Sequence, residues 1–234
     1  PYALRWHHHE STPSIGIVVF KGDQETTEAL LKQADLAMYQ AKAAGRNTVR
    51  FFDPAIQARL NARAALEADL RQAVQRNELV LHYQPQVDTQ GRCLGVEALV
   101  RWEHPQRGQV QPLDFIPLAE ETGLILPIGQ WVLCQACSTM AAWEADPRLA
   151  GLGMAVNVSA RQLHQPDFVH NVRVQLRSHG IDPALLKLEI TESMLLDNIE
   201  QTVETMQALK ALGVRFSLDD FGTGYSSLNY VKRL

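Results

Sequence analysis

Short apolar runs alternate with longer amphipathic stretches along the chain after residue 77. The runs are too short for helices and are rich in β-branched and aromatic residues, which indicates buried strands. The predicted strands span residues 79–85, 94–102, 153–159, 185–191 and 214–218, and helical periodicity predicts helices at 115–121, 129–145, 168–178 and up to 212. Repeated strand-helix units favour an α/β fold with a parallel sheet.

The part of the chain before residue 77 shows a different pattern. A strand at 15–20, a helix at 28–44 that Gly45 ends, and a strand at 48–52 are predicted there. A single amphipathic helix over 54–76 then precedes the alternating units. We therefore divide the chain into residues 1–53, a linker helix at 54–76 and a second domain at 77–234.

Four of the predicted strands carry a candidate oxygen ligand near the carboxyl end, on the face opposite their aliphatic residues. These side chains are Glu97, Asn157, Glu189 and Asp219. In a β/α barrel that face points inward, and active sites lie at the carboxyl ends of the strands. We therefore expect the four side chains to meet there, with Asp220 as a fifth donor at the start of a glycine-rich loop. The alternative is that each polar residue marks a strand exit independently.

The donor types indicate which cation such a site would take. Carboxylate and amide oxygens are the ligands that Mg²⁺ and Mn²⁺ prefer, whereas Zn²⁺ is usually held by nitrogen and sulfur. Two adjacent acids, Asp219 and Asp220, would be costly near a core unless a positive charge neutralised them. The sequence thus predicts a Mg²⁺ or Mn²⁺ site.

Composition narrows the classes of partner. A net charge of −4 over 234 residues gives no footprint for a nucleic acid polymer or an anionic membrane surface. No apolar stretch is expected to span a bilayer. Three cysteines suggest a reducing, cytoplasmic setting. Cys134 and Cys137 have the spacing of a redox or zinc half-site, but they lie in an apolar helical stretch and are expected to pack in the core.

The polar residues stand in segments that resemble the motifs of EAL-domain cyclic di-GMP phosphodiesterases. The segments span residues 97–102, 157–159, 188–192 and 219–228, in the order and spacing of that family. The similarity runs from about residue 77 to the end. It implies a (β/α)8 TIM-like barrel, present here only in part, that hydrolyses cyclic di-GMP to linear pGpG with two metal ions.

The resemblance also implies roles for single residues. Those matching metal ligands are Glu97, Asn157, Glu189, Asp219 and Asp220, and those acting in catalysis are Glu97, Asp219 and Asp220. Gln84 and Arg101 match substrate contacts, with Arg101 as a phosphate clamp. Glu192 matches the anchor of the loop at 220–228, which joins metal binding to dimerisation in that family, so a homodimer is implied.

Segments before residue 48 resemble the C-terminal end of a GGDEF (diguanylate cyclase) domain. They span residues 14–17, 34–42 and 45–47, and Lys42 and Arg46 match residues that help to hold nucleotide phosphates in that family. The signature loop of the family is absent, so synthesis of cyclic di-GMP is not expected. Lys42 and Arg46 are expected to be solvated surface charges.

Other functions remain open at this stage. A degenerate EAL domain could bind cyclic di-GMP or dock partners without hydrolysis, although every ligand position present is intact. The helix at 54–76 could serve purely for dimerisation. A full β/α barrel needs about 250 residues, so the family's later Lys, Glu and Gln are expected beyond residue 234. The 234 residues alone are expected to hydrolyse little, and the intact parent to be the enzyme.

Overall fold

The computed structural model describes residues 2–4, 7–9, 12–22, 25–191, 194 and 198–219. The chain divides into two compact units, residues 1–65 and residues 66–234. Each is described by itself.

Within its described residues, the first unit contains two small sheets and a helix. Strands β1 (Tyr2–Leu4) and β2 (His7–His9) pair antiparallel, and strands β3 (Ile15–Ile17) and β4 (Val49–Phe51) pair parallel. Helix α1 (Thr27–Ala43) connects β3 to β4 and starts where the Thr26 hydroxyl accepts from the amide of Ala29. β3 packs directly on α1 because Gly16 has no Cβ, and an added Cβ would clash with the carbonyl oxygen of Ala34.

Helix α2 spans Pro54–Ala73 and includes residues of both units. The sequence predicts three more residues at its carboxyl end. The helix stops earlier because Asn77 adopts a left-handed conformation with φ of 55°, and the amide of Glu78 returns to the carbonyl of Ala73 at 3.0 Å. This ending leads the chain straight into the first strand of the second unit.

The described part of the second unit is built on a six-stranded sheet. In chain order its strands are β5 (Leu79–Val87), β6 (Cys93–His104), β7 (Gly108–Val110), β8 (Gly153–Asn157), β9 (Leu186–Thr191) and β10 (Arg215–Asp219). The order across the sheet is β10-β9-β8-β6-β5, with β7 also paired to β6. The pairs β6–β8, β8–β9 and β9–β10 are parallel, as the repeated units predict.

The first pair of this sheet corrects the prediction of an all-parallel arrangement. β5 and β6 run antiparallel. A tight turn joins them, in which Asp88 accepts from the amides of Gln90 and Arg92, and Gly91 has φ of 77°. Parallel neighbours need a crossover of a dozen or more residues, which this turn does not supply.

The helices connect the later strands. They are α3 (Pro112–Thr122), α4 (Ile125–Trp143), α5 (Ala160–Leu163), α6 (Phe168–His179) and α7 (Ile199–Ala211), with a 3₁₀ turn at Pro183–Leu185. The sequence reading missed α5, which a reciprocal capping box between Ser159 and Gln162 opens. Buried side chains of the strands and helices form one core, which includes Met154, Val156, Leu188, Ile190, Val132 and Val172.

Helix α4 corrects the expectation that no apolar stretch could span a bilayer. By length and composition alone, this helix is long and apolar enough to cross a membrane, with 19 residues and a mean hydropathy of 1.2 in its most apolar window. However, 44% of that window is buried inside the unit. Buried core helices have the same length and composition, so neither property identifies a membrane segment here.

Candidate functional site

The strand register puts the proposed ligands on one face of the sheet. Glu97 of β6 lies opposite Ala155 of β8, Asn157 of β8 lies opposite Glu189 of β9, and Glu189 lies opposite Ser217 of β10. Since side chains alternate along each strand, Asp219 shares this face with Ser217. The opposite face carries aliphatic side chains: Val96, Val156, Leu188 and Leu218.

Glu97 and Asn157 are in direct contact. The side-chain amide Nδ2 of Asn157 donates to Oε1 of Glu97 at 2.7 Å. Asn157 is exposed at the end of β8, and Glu97 is half-buried on β6. The contact brings a carboxylate and an amide together from positions sixty residues apart.

Glu189 lies deeper, with 8% of its surface exposed. Its Oε1 accepts from the hydroxyl of Ser217 at 2.9 Å and lies 3.2 Å from Nζ of Lys187. Nε2 of Gln86 approaches the same oxygen at 3.5 Å, and Oε1 of Gln86 accepts from Lys187 at 2.7 Å. The sequence reading missed these three partners. A spacing of two puts Lys187 on the face of Glu189, and that was the signal available for it.

The contact between Gln86 and Lys187 indicates that the sheet is curved, because side chains of a flat sheet stand roughly perpendicular to it rather than reaching across two strands. Their strands, β5 and β9, are separated by β6 and β8. In a flat sheet that separation is about 14 Å between backbones, at about 4.8 Å per strand. The two side chains nevertheless meet at 2.7 Å. The face with the acids is therefore concave, as the interior of a partial barrel requires.

The acids do not converge as tightly as four ligands aimed at one point. Among the residues described, no three side chains of His, Cys, Asp or Glu are grouped closely enough to hold a metal ion. The reason is the position of β8 between β6 and β9, which places Asn157 rather than another acid between Glu97 and Glu189. With the amide of Asn157 counted, the donor set on this face is all oxygen and fits a hard divalent cation.

The positions of the ligands along their strands differ from the expectation. Asn157 and Asp219 are the last residues of β8 and β10, as expected. Glu97 lies within β6, which continues to His104 because it pairs with β5 and β7 after its pairing with β8 has ended at Ala98. Glu189 is followed by two more residues of β9.

Arg101 and Asp219 line a common cavity of about 510 Å³ at the carboxyl edge of the parallel strands. Asn157, Thr191 and Gln162 are further polar members of its lining, and α3 and α4 supply an apolar wall that includes Leu113, Ile116 and Ile125. Arg101 is half-buried, and its Nη1 donates to the carbonyl of Val100 at 3.0 Å. A cavity whose lining includes a guanidinium and several polar side chains can accept a phosphate-bearing ligand.

Gln84, the other proposed substrate contact, is exposed on β5 directly opposite Glu97. It therefore shares the concave face, although it is not part of the cavity lining that holds Arg101. Asp220 and Glu192 lie outside the described residues.

Lys42 and Arg46 in the first unit are exposed, as expected for surface charges. Lys42 stands in the last turn of α1, and Arg46 follows Gly45 with φ of 63°.

The two helical cysteines behave differently from each other. Cys137 is fully buried in α4, and burial, followed by the neighbouring Cys134, raises the pKa of its thiol to about 12. Cys134 is exposed, so the expectation of core packing is correct for Cys137 and wrong for Cys134. A spacing of three on a helix puts the two on adjacent but not identical directions, which explains the difference.

Two family models match the chain. The EAL domain model matches residues 67–234, and the model for the diguanylate cyclase GGDEF domain matches residues 1–48. The segment at 1–48 is a fragment of the latter. The helix predicted as a linker at 54–76 overlaps the start of the EAL match.

Relatives agree with these matches. The chain is 47% identical over 235 residues to the bifunctional diguanylate cyclase/cyclic di-GMP phosphodiesterase MucR of Pseudomonas aeruginosa, covering 100% of this chain and 34% of MucR. It is 39% identical over 220 residues to the cyclic di-GMP phosphodiesterase PdeR of Escherichia coli, covering 94% of this chain and 33% of PdeR. The chain thus spans about a third of the length of these curated relatives.

A solved structure of the PaMucR phosphodiesterase in complex with cyclic di-GMP has the same fold. It superposes with a TM-score of 0.69 at 49% identity, covering 73% of this chain and 69% of that one. The EAL domain of FimX from Pseudomonas aeruginosa bound to cyclic di-GMP matches with a TM-score of 0.65 at 26% identity, covering 72% of this chain and 67% of that one.

Proposed function

Because this chain belongs to the EAL-domain family, we propose that it takes part in the hydrolysis of cyclic di-GMP to linear pGpG with Mg²⁺ or Mn²⁺. The observation that carries the proposal is the concave face on which Glu97 and Asn157 touch at 2.7 Å. Arg101, Asn157 and Asp219 line one cavity at the edge of this face. The names of MucR and PdeR support the choice of substrate.

The proposed ligands of the cations are Glu97, Asn157, Glu189 and Asp219, together with Asp220. When bound, the cations activate water and stabilise the negative charge of a phosphodiester during its cleavage. The hydrogen bond between Glu97 and Asn157 keeps these two proposed ligands next to each other. Ser217 holds one oxygen of the buried Glu189 at 2.9 Å, which fixes the direction of that carboxylate.

Arg101 is the proposed phosphate clamp. A guanidinium can donate two parallel hydrogen bonds to phosphate oxygens, which adds orientation to charge. Its Nη1 donates to the carbonyl of Val100, and Arg101 follows Glu97 by four residues toward the carboxyl end of β6. Gln84, opposite Glu97 on β5, is the proposed second contact to the substrate.

Hydrolysis of cyclic di-GMP with protein in excess over substrate tests the proposal. A complete β/α barrel takes about 250 residues, more than residues 67–234 supply, so we infer that turnover by this chain alone is slow. The expected result is conversion to pGpG with Mn²⁺, none with a chelator, and none with Glu97→Gln. Glu103→Gln, an exposed acid on the same strand, is the matched control.

Conversion that is unchanged in Glu97→Gln, or that persists under chelation, would contradict the proposed cation site. Calorimetric binding of cyclic di-GMP without any conversion would instead favour a binding or docking module over an enzyme.

The remaining proposals concern the setting of the protein. The described cysteines are all free thiols, which supports a reducing, cytoplasmic location.

A homodimer is proposed from the family resemblance, with α2 as a candidate contact. Light scattering of the chain with and without cyclic di-GMP measures its mass, and a monomer under both conditions would contradict the dimer.

A further inference from the structure

We propose that Lys187 is an internal counter-ion of Glu189, which neutralises this carboxylate in the cation-free protein and competes with a divalent cation for it. This inference rests on the proposed function, since it assigns Glu189 to a cation. It goes beyond that proposal because it makes Lys187 a positioning residue that sets how tightly the cation binds.

The carboxylate of Glu189 belongs to a buried residue and needs a partner. Glu189 is 8% exposed, and an ionised carboxylate at such a position is costly unless it is paired. Nζ of Lys187 lies 3.2 Å from Oε1 of Glu189, and the Ser217 hydroxyl donates to the same oxygen. One ammonium and one hydroxyl therefore compensate the charge without a metal ion.

Lys187 is held in place by a residue of a distant strand. Its Nζ donates to Oε1 of Gln86 at 2.7 Å, and Gln86 lies on β5, three strands away in the sheet. Long lysine side chains lose conformational entropy when fixed, so a surface lysine rarely stays in one position. Gln86 fixes this one beside the carboxylate, and its own Nε2 is 3.5 Å from the same Glu189 oxygen.

The Lys187 ammonium lies next to the carboxylate oxygens that a cation would use. Among the residues described, the hydrogen bonds and the ion pair of the Glu189 side chain are all made with Oε1. A cation that uses this carboxylate brings two positive charges close to the Lys187 ammonium. The repulsion between them weakens binding of the cation, and removal of the ammonium removes that repulsion.

The test compares the whole chain with its Lys187→Met variant by calorimetric titration with Mn²⁺ alone and by thermal unfolding with a chelator. We expect Mn²⁺ to bind about tenfold more tightly to the variant, because a nearby like charge is gone. In the chelator the variant is expected to unfold at a lower temperature, because a buried carboxylate has lost its partner. If Lys187 only supported the local structure, the Lys187→Met substitution would weaken Mn²⁺ binding instead.

Arg215→Met is the matched control. Arg215 is exposed and lies opposite Lys187 in the register of β9 and β10. Its replacement by Met removes the same unit of charge from the same face of the sheet. Its Mn²⁺ affinity is expected to change by less than about twofold, since exposed charges are well screened. Lys187→Arg keeps the charge and is expected to keep the affinity of the original chain.

Two results would overturn the inference. One is an equal or weaker Mn²⁺ affinity in Lys187→Met, and the other is unfolding in the chelator at the temperature of the Arg215→Met control. If Lys187→Met fails to fold, Gln86→Leu takes its place in the test. This variant removes the acceptor that holds Lys187 and is also expected to bind Mn²⁺ more tightly than the original chain.

Absence of Mn²⁺ binding in every variant would contradict the cation site of the proposed function. In that case the unfolding temperature still decides the role of Lys187 as a counter-ion: a loss of stability specific to Lys187→Met supports it, and no loss overturns it.

Discussion

The side-chain amide of Asn157, at the end of β8, donates to the carboxylate of Glu97, within the neighbouring parallel strand β6, at 2.7 Å. In a cation-free protein this bond keeps a half-buried acid satisfied. With a cation bound, the same two side chains offer oxygen atoms from adjacent strands. The pair is therefore the local geometry on which the proposed activity depends.

Asn157→Asp tests this pair. The substitution replaces a hydrogen bond by two carboxylates in contact, and like charges at this distance destabilise each other. We expect the variant to lose about 1–3 kcal/mol of stability without a cation, since a hydrogen bond to a charged group is lost. Mn²⁺ should raise its unfolding temperature more than it raises that of the original chain. Equal increments in both proteins would argue against a shared cation at Glu97 and Asn157.

Gly95→Ala tests how the strands position that pair. A Cβ at Gly95 would lie 2.7 Å from the backbone carbonyl oxygen of Gly153, which belongs to the neighbouring strand β8. Backbone cannot yield as a side-chain end can, so β6 and β8 must shift apart. We expect a loss of about 1–3 kcal/mol by urea unfolding, the usual cost of overpacking.

Gly153→Ala is the control for that variant. Its nearest neighbour, the carbonyl oxygen of Leu185, lies at the ordinary contact distance of 3.5 Å. The change is expected to be nearly neutral, within about 0.5 kcal/mol. If both variants unfold alike, close approach of the two backbones is not what makes Gly95 necessary.

Arg101→Ala is expected to weaken binding of cyclic di-GMP. Loss of a charged hydrogen bond costs about 1.5–3 kcal/mol, which corresponds to roughly 10- to 100-fold in the dissociation constant. The measurement is calorimetric titration with the dinucleotide. Arg173→Ala, an exposed position on α6, serves as the control and should bind like the original chain. An unchanged affinity in Arg101→Ala would contradict the proposed role of Arg101 as a phosphate clamp.

Trp102→Phe is expected to destabilise the second unit without touching the cation site. The indole Nε1 of the fully buried Trp102 donates to Oε2 of Glu78 at 2.9 Å, and Glu78 is itself 7% exposed. Phenylalanine keeps most of the apolar volume but leaves that carboxylate with one donor fewer, at a cost of about 1–3 kcal/mol. Urea unfolding measures the loss. A variant as stable as the original chain would show that this buried bond contributes little.

The cysteines should differ in their rates of alkylation. Burial raises the pKa of Cys137 to about 12, so almost none of its thiol is ionised at pH 8, and the thiolate is the reactive form. Cys93 and Cys134 are exposed. Iodoacetamide followed by mass spectrometry is expected to label Cys93 and Cys134 in the folded protein and Cys137 only after unfolding. Labelling of Cys137 at the rate of the other two would place it at the surface.

Much of the sheet could be predicted from alternation alone. Side chains alternate along a strand with a period of two, which determines the residues that share a face with Glu189. The observed pairing of β8, β9 and β10 keeps these residues on one face. The antiparallel pairing of β5 with β6 was also readable, because the gap between the two predicted strands is too short for a crossover. The error came from extending the later βα pattern back to the first pair.

The contacts made by long side chains could not be predicted in this way. Alternation puts Lys187 beside Glu189, but its bond to Gln86 depends on the curvature of the whole sheet. Curvature arises from twist accumulated over several strands, which a local pattern does not encode. The same holds for Asn157, whose place between two acids depends on strand order rather than on its neighbours in sequence.

The most direct test of the central claim is an anomalous difference map from crystals of the chain grown with Mn²⁺. The account predicts a peak on the concave face, within ligand distance of Glu97 and Asn157, that disappears in Glu97→Gln. A peak at another position, or hydrolysis of cyclic di-GMP by a chain whose crystals show no Mn²⁺ beside Glu97, would contradict it.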